Sequence, residues 1–336
     1  MVQFNTFGPL WVSLAVSACS PYVYTQEIGG FGNGVSAVVA SYQAGRQAVD
    51  AIAMQQRDAT FAAGRTRLML LPGCDQTAPT GTPPKLPDCA IVAFAASPPP
   101  PPNPVQAALA AAAPAFDALK SYAAALAAVT SASDETALTQ ASQTLTSAAN
   151  GFVTALAKVA PHAASAKGAI GPAGGWLGQG IEFYLGQRRL AVLRSTVPAV
   201  DPAVNELGQV VSAALLDIWQ QELLQLGPAM RRAAEPLEET SVSKLSAADY
   251  QVKLSALESE VAAYTQLRAA DPTATARAMV AAHHQLAQAL IADNGPDQAV
   301  LAAVQAFAAS AGQLKASFAM APADGGASKT RTTARN

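Results

Sequence analysis

The side chains best suited to metal or haem chemistry are three histidines, His162, His283 and His284. Two imidazoles four residues apart on a helix share one face and can bind a metal together, but no pair of histidines has this spacing. His283 lies four residues after Met279 and three before Leu286, on the apolar side of a predicted helix. We therefore expect His283 to be a buried, hydrogen-bonded core residue, with metal or haem ligation as the weaker alternative.

Nucleophile motifs are incomplete in this sequence. Ser241-Val242-Ser243-Lys244 matches the Ser-x-x-Lys of penicillin-binding enzymes, but the Ser-Asp-Asn and Lys-Thr-Gly motifs that accompany it are absent. The Gly-x-Ser-x-Gly of many hydrolases is also missing. The sequence therefore predicts no enzyme and no cofactor.

A glycine-rich segment between residues 168 and 190 is the most unusual part of the chain. Six glycines between residues 168 and 180 break a helix or allow very close packing. The larger side chains around them could form a docking corner for a ligand or partner, or could simply close a tight corner between two helices. The candidate residues of this corner are Trp176, Glu182, Tyr184, Arg188 and Arg189.

Helix signals cover most of the remaining chain. Asn103-Pro104, Asp201-Pro202 and Asp271-Pro272 each place a capping side chain before a proline, which is typical of a helix start. Ser133-Asp134-Glu135 and Ser246 with Asp249 are weaker signals of the same kind. Predicted helices span 104–130, 134–160, 178–197, 201–226, 246–270, 272–292 and 296–320, in addition to a first long helix from 35 to 71.

Apolar residues repeat at coiled-coil spacing within three of these helices. Together with the short capped connections, the repeats predict an all-α fold, an elongated antiparallel helical bundle with coiled-coil-like seams. The predicted seams comprise Leu138, Leu145, Phe152 and Val159; Tyr250, Leu254, Leu257, Val261 and Tyr264; and Val300, Val304, Phe307, Ala311, Leu314 and Phe318.

Composition agrees with helices and argues against nucleic acid as a partner. Of the 336 residues, 51% are hydrophobic but only 6% aromatic, and the net charge is −2. Lysine and arginine are scattered, so no basic stripe exists to neutralise a run of phosphates. We expect no nucleic-acid partner.

The N-terminal residues have the features of a targeting segment. Residues 7–18 form an apolar stretch of signal-peptide length, too short to span a membrane. It ends in Val16-Ser17-Ala18-Cys19, which resembles the lipobox of bacterial lipoproteins. The resemblance implies cleavage before Cys19, acylation of Cys19 and, from Ser20, residence at the outer membrane facing the periplasm. The competing interpretation is a buried N-terminal helix with an ordinary cysteine.

If Cys19 is acylated, Cys74 and Cys89 are the two remaining thiols and can form only one pair. Cys74 and Cys89 flank a segment rich in proline, glycine and threonine, and a covalent cross-link would stabilise such a segment most. Closing a loop of ~15 residues contributes roughly 3 kcal/mol in the chain-entropy model. We expect a disulfide between them, with free thiols as the alternative.

The function expected from these observations is that of a membrane-anchored envelope lipoprotein with a structural or scaffold role and a protein partner. The alternative is a periplasmic binding protein that holds haem, a metal or a small apolar ligand between helices. The expected organisation is a signal peptide (1–18), a Gly-rich tether (19–34), a long helix with a clamped Pro-rich loop and spacer (35–102), a helical bundle (103–320) and a disordered tail (321–336).

Overall fold

The computed structural model describes residues 24–70, 91–94, 103–160, 181–238, 240–292 and 298–320. Within these ranges the fold is all-α apart from one short ladder, as the sequence predicts. The elements are α1 (Thr25–Gly64), β1 (Leu68–Leu70), β2 (Ile91–Ala93), α2 (Pro104–Ser131), α3 (Glu135–Leu156), α4 (Ile181–Glu238), a 3-10 helix (Thr240–Lys244), α5 (Ala247–Ala269), α6 (Pro272–Ile291) and α7 (Gln298–Met320).

Four of the predicted helix starts have the expected capping hydrogen bonds. Asn103 accepts from the amide of Val105, and Asp134 accepts from that of Ala137. Ser246 accepts from the amide of Asp249 at the start of α5, and Asp271 accepts from two amides at the start of α6. Each bond satisfies amides that have no partner inside the helix, so local sequence fixes these starts.

The predicted break before Asp201 is wrong, because α4 continues through it as one helix of 58 residues. Pro198 and Pro202 lie inside this helix, and each deprives it of a backbone hydrogen bond at a cost of about 3 kcal/mol. Burial of the surrounding apolar residues offsets this cost. Those fully buried between 193 and 207 are Leu193, Val197, Val200, Ala203, Val204 and Leu207.

The prediction of a Gly-rich tether over 19–34 is wrong for its described part, since α1 begins at Thr25. Gly30 faces Val304 and Gly34 faces the ring of Phe307, both on α7. A Cβ on either glycine would lie under 3.0 Å from those side chains. These glycines therefore serve close helix packing, and the preceding Tyr24 is buried with them.

The helices pack into a bundle with one hydrophobic core. α1 contacts α2, α4, α6 and α7, and α4 contacts α1, α2, α3, α5 and α6. The facing pairs Gly30 with Val304 and Gly34 with Phe307 show that α1 and α7 run parallel. Non-sequential neighbours therefore depart from the purely antiparallel arrangement that the short connections predict.

The predicted seam of α7 is confirmed, and that of α3 is confirmed except at Val159, which follows the end of the helix at Leu156 and is only partly buried. Leu138, Leu145 and Phe152 on α3 are buried, as are all six seam residues of α7. On α5, in contrast, Tyr250 is 40% exposed and Val261 is 45% exposed. Only the C-terminal end of α5 enters the core, through Ala263 and Leu267.

A two-stranded antiparallel ladder joins β1 to β2. The prediction that the first helix continues to residue 71 is wrong, because α1 ends at Gly64 and β1 follows it. Leu68 pairs with Ala93 and Leu70 with Ile91. The chain between these strands, including Cys74 and Cys89, lies outside the described residues, as do Cys19, the signal segment and the tail from 321. No helix in the described part of the chain is long and apolar enough to cross a membrane.

Candidate functional site

The carboxylate of Asp201, about a third of the way along α4, is hydrogen-bonded to two histidine side chains of another helix. Its Oδ1 lies 2.8 Å from Nδ1 of His283, and its Oδ2 lies 2.7 Å from Nδ1 of His284. Both histidines belong to α6, which runs antiparallel to α4. One carboxylate thus accepts from two adjacent imidazoles, and both of its oxygens are occupied.

His283 is fully buried and uses both ring nitrogens. Its Nε2 lies 3.1 Å from the hydroxyl of Tyr122 on α2, another fully buried residue. Because a carboxylate can only accept, Nδ1 of His283 donates to Asp201, and Nε2 makes the hydrogen bond with the Tyr122 hydroxyl. The rings of Phe31 and Tyr122 lie 5.6 and 5.9 Å from that of His283. The interpretation of His283 as a satisfied core histidine is confirmed.

The alternative of His283 as a metal or haem ligand does not fit this geometry. Ligation needs a lone pair on one ring nitrogen, and both ring nitrogens of His283 already make hydrogen bonds, Nε2 with Tyr122 and Nδ1 with Asp201. Among the described residues, no group of three or more His, Cys, Asp or Glu side chains could hold a metal ion.

Burial and hydrogen bonding determine the protonation states of Asp201 and Tyr122 in this network. Burial acts to raise the pKa of Asp201, but the hydrogen bonds and positive charges of His283 and His284 outweigh it, so the pKa lies below the usual range. Burial raises the pKa of Tyr122 strongly, and the charge of Asp201 raises it further. The carboxylate therefore stays ionised and the phenol stays protonated at neutral pH.

A groove of about 730 Å³ lies between α4 and α6, beside this network. Asp201 and His284 lie at one end and Thr273 and Arg277 at the other. Volumes of this size are typical of small-molecule sites. The remaining lining residues are Asn205, Gly208, Gln209, Ser212, Ala213, Ala276, Val280 and Ala281.

Close packing of the two helices forms the floor of the groove. A Cβ at Gly208 would lie under 3.0 Å from Cγ2 of Val280, so only a glycine fits here without a shift. Sequence reasoning missed both the groove and the Asp201 network, because Asp201 resembles a helix cap when only its neighbours are considered. The hydrogen bond to His283 spans 82 residues, and no local signal indicates it.

Part of the predicted glycine-rich corner falls within the described residues. The guanidinium of Arg188 lies over the ring of Tyr184 at 5.5 Å and 2.5 Å from Glu135 on α3. Arg189 donates to the carbonyl of Ala132, at the C-terminal cap of α2. The structure therefore brings Tyr184, Arg188 and Arg189 to the α2–α3 junction, where both arginines have partners within the chain. Trp176 and the side chain of Glu182 lie outside the described part.

Glu222 is a second buried acid, which sequence reasoning did not identify. It is 3% exposed on α4, and within the described part of the chain neither carboxylate oxygen has a hydrogen-bond partner. Burial raises the pKa of this carboxyl to about 8. Glu222 is therefore protonated over most of the physiological pH range.

The remaining sequence motif, Ser241 to Lys244, lies on the 3-10 helix between α4 and α5. Comparisons with known proteins add no assignment: no family model, no curated protein and no solved structure matches this chain.

Proposed function

We propose that the chain is a lipoprotein of the bacterial cell envelope, anchored through Cys19, with a helical body that acts as a scaffold for a protein partner. The observation that carries this proposal is Val16-Ser17-Ala18-Cys19 at the end of an apolar stretch of signal-peptide length. Two or more acyl chains on one cysteine anchor a protein stably, whereas one binds only marginally. In this proposal the protein faces the periplasm from the outer membrane and binds no nucleic acid.

The start of α1 supports a short connection to the membrane. Thr25 begins the helix six positions after Cys19, and Tyr24, Ile28 and Phe31 are buried in the core. An anchor at Cys19 would therefore hold one end of the bundle close to the bilayer. α1 is 40 residues long, which corresponds to about 60 Å at 1.5 Å per residue. Its far end would present surface away from the membrane.

That far end is the region we assign to partner binding. The C-terminal third of α1 makes little contact with the core, and apolar side chains on it and on the adjoining ladder are exposed. Met54 is 52% exposed, Leu68 45% and Phe94 53%. Exposed apolar side chains among charged ones are common at protein interaction sites, and Arg57, Arg65 and Arg67 belong to the same part of the chain.

The disulfide between Cys74 and Cys89 belongs to the same proposal. The ladder pairs Leu70 with Ile91, so the two ends of the segment that contains both cysteines meet. An oxidising envelope compartment favours the bond. Peptide mapping without reductant should give one Cys74–Cys89 peptide, and full alkylation of both thiols would contradict the disulfide.

The elongated shape is also part of the proposal. α4 spans 58 residues, roughly 87 Å when fully helical. A compact domain of this chain length has a radius of gyration of about 20 Å. Small-angle scattering should give a clearly larger value, and a value near the compact one would contradict the shape.

The experiment that tests the anchor is metabolic labelling with palmitate in a bacterial host. The parent chain should incorporate label and fractionate with membranes, and Cys19→Ser should do neither. Cys74→Ser is the matched control and should label like the parent. Equal labelling of the Cys19→Ser variant and the parent would overturn the proposal.

The rival function is a binding protein that holds haem, a metal or an apolar ligand between helices through His283. Engagement of both His283 nitrogens argues against it. Addition of haem or divalent metals should therefore leave the melting temperature unchanged. A shift of several degrees that disappears in His283→Ala would favour the rival, since a ligand at a hundred times its dissociation constant adds about 2.7 kcal/mol.

A further inference from the structure

Helix α5 carries an apolar stripe that the rest of the bundle leaves largely uncovered. Its side chains follow the heptad spacing of a coiled coil and lie within about 60° of one another around the helix. The stripe consists of Tyr250, Leu254, Leu257 and Val261. Tyr250 is 40% exposed and Val261 is 45% exposed, while Leu254 and Leu257 are half-buried. The first buried residue of α5 is Ala263, so most of this helix lies outside the core.

The neighbouring part of α4 lies outside the core as well. α5 packs mainly against α4, to which a 3-10 helix connects it, and the indole of Trp219 donates to the carbonyl of Leu267 at 2.7 Å. No described residue of α4 after Leu226 is buried. Residues 227–238 and 247–262 therefore form an arm of two helices, the α4–α5 arm. Because helices gain most of their stability from packing against other helices, this arm is suited to a further helical partner.

The stripe is self-complementary when two copies of α5 meet antiparallel. In the heptad of α5, Leu254 and Val261 occupy a positions, and Tyr250 and Leu257 occupy d positions. An antiparallel pair joins each a position to a d position of the other helix. Leu254 then lies opposite Leu257 of the second copy, and Tyr250 lies opposite Val261 of the second copy. Two-fold symmetry repeats each of these contacts, as in most homodimers.

Charged residues beside the stripe favour the same orientation. Lys253 and Glu260 occupy g positions and are half-buried. Residues at g face one another in an antiparallel pair, so Lys253 of each copy lies opposite Glu260 of the other. Within the described part of the chain, the shielded Oε2 of Glu260 has no hydrogen-bond partner, and this lysine would supply a donor. A parallel pair would instead place Glu260 beside the neutral Thr265.

We propose that the chain forms a two-fold homodimer in which the α5 helices of two copies pair antiparallel through this stripe. The two α4–α5 arms then cover each other, and the two bundles lie at opposite ends of the paired arms. The dimer surface differs from the region of Met54 and Phe94 assigned to a protein partner. It also does not depend on the lipid anchor, so each proposal can fail without the other.

Sedimentation equilibrium of the purified full chain tests the dimer. A detergent matched in density to the solvent makes the measured mass that of the protein alone. Because one helix pair gives a small interface and small interfaces form weak complexes, the parent should be dimeric at about 100 µM and dissociate on dilution. A parent that stays monomeric at this concentration would overturn the proposal.

Two valines of α5 provide a matched pair of variants. Val261 and Val252 are nine residues apart, which places them on opposite sides of the helix, and Val252 is 70% exposed. Val261→Glu brings a charge into the stripe and should weaken dimerisation about tenfold or more. Val252→Glu should dimerise like the parent. Circular dichroism verifies that both variants fold, and equal dimerisation of the two folded variants would contradict the assigned surface.

A charge exchange tests the orientation of the pair. Lys253→Glu places two carboxylates opposite each other at both ends and should weaken dimerisation about tenfold or more. The double variant Lys253→Glu/Glu260→Lys should restore it to within roughly threefold of the parent, because each pair is then reversed in sign. Lys253 and Glu260 of one chain are about 10 Å apart along the helix axis, too far to pair with each other. A folded double variant as weak as Lys253→Glu would contradict the antiparallel pairing.

Discussion

Asp201 and His283 are joined by a hydrogen bond of 2.8 Å that connects the longest helix to the buried side of α6. The other ring nitrogen of His283, Nε2, forms a hydrogen bond with the hydroxyl of Tyr122 on α2. Three helices that are distant in sequence are thus fixed to one another by a single polar chain.

Tyr122→Phe removes the hydroxyl and leaves Nε2 of His283 buried without a hydrogen-bond partner. An unsatisfied buried polar group costs about 1–3 kcal/mol, so the free energy of unfolding should fall by that amount. Urea denaturation measures the change. Tyr250→Phe, at an exposed tyrosine on α5, is the control and should change stability by less than about 0.5 kcal/mol. Parent-like stability of Tyr122→Phe would show that the bond contributes nothing.

Asp201→Asn tests the charge of the carboxylate. Because the pKa of Asp201 is lower in the folded state, its ionised form stabilises the fold above its unfolded pKa, near 4. This contribution disappears as pH falls through the folded pKa. The parent should therefore lose stability on acidification more steeply than Asp201→Asn. Parallel stability curves for the two proteins from pH 6 to pH 3 would contradict this account.

Glu222→Gln should stabilise the protein, most of all at alkaline pH. The folded pKa of Glu222, about 8, lies above the usual value of 4.5, so the folded state binds more protons and stability falls as pH rises between these values. At pH 9 the variant should gain on the order of 2–4 kcal/mol over the parent, and the gain should shrink toward pH 5. Glu258→Gln, on the exposed side of α5, provides the comparison. A gain that does not vary with pH would show that burial does not perturb Glu222.

Gly34 and Gly32 form a matched pair on α1. A Cβ at Gly34 would lie under 3.0 Å from three ring carbons of Phe307, whereas a Cβ at Gly32 has nothing within 4 Å. Gly34→Ala should therefore destabilise the fold by about 1–3 kcal/mol through overpacking. Gly32→Ala should stabilise it by up to about 1 kcal/mol, because alanine is the better helix former. Thermal unfolding of both variants measures these changes. Equal changes in stability for Gly34→Ala and Gly32→Ala would contradict the role of close packing at Gly34.

The features that the sequence predicts correctly depend on residues that lie close together in the chain. The caps at Asn103, Asp134, Ser246 and Asp271 act within three residues of themselves, so their spacing alone locates the helix starts. The seam of α7 repeats a pattern whose partners are other helices, and burial there follows from periodicity.

What the sequence could not predict depends on partners far along the chain. Asp201 has the local pattern of a cap, and only α6 gives it a different role. From the sequence alone, Gly34 resembles a flexible linker residue. In the structure it packs against the ring of Phe307. The α5 pattern predicts a seam, but its N-terminal part meets too few other helices to be buried.

The measurement that tests the central proposal most directly is the mass of the N-terminal peptide of the mature protein purified from bacterial membranes. The account predicts a chain that begins at Cys19, with a mass increased by a diacylglyceryl group and an N-linked acyl chain. A mature chain that begins elsewhere, or that carries an unmodified Cys19, would contradict it.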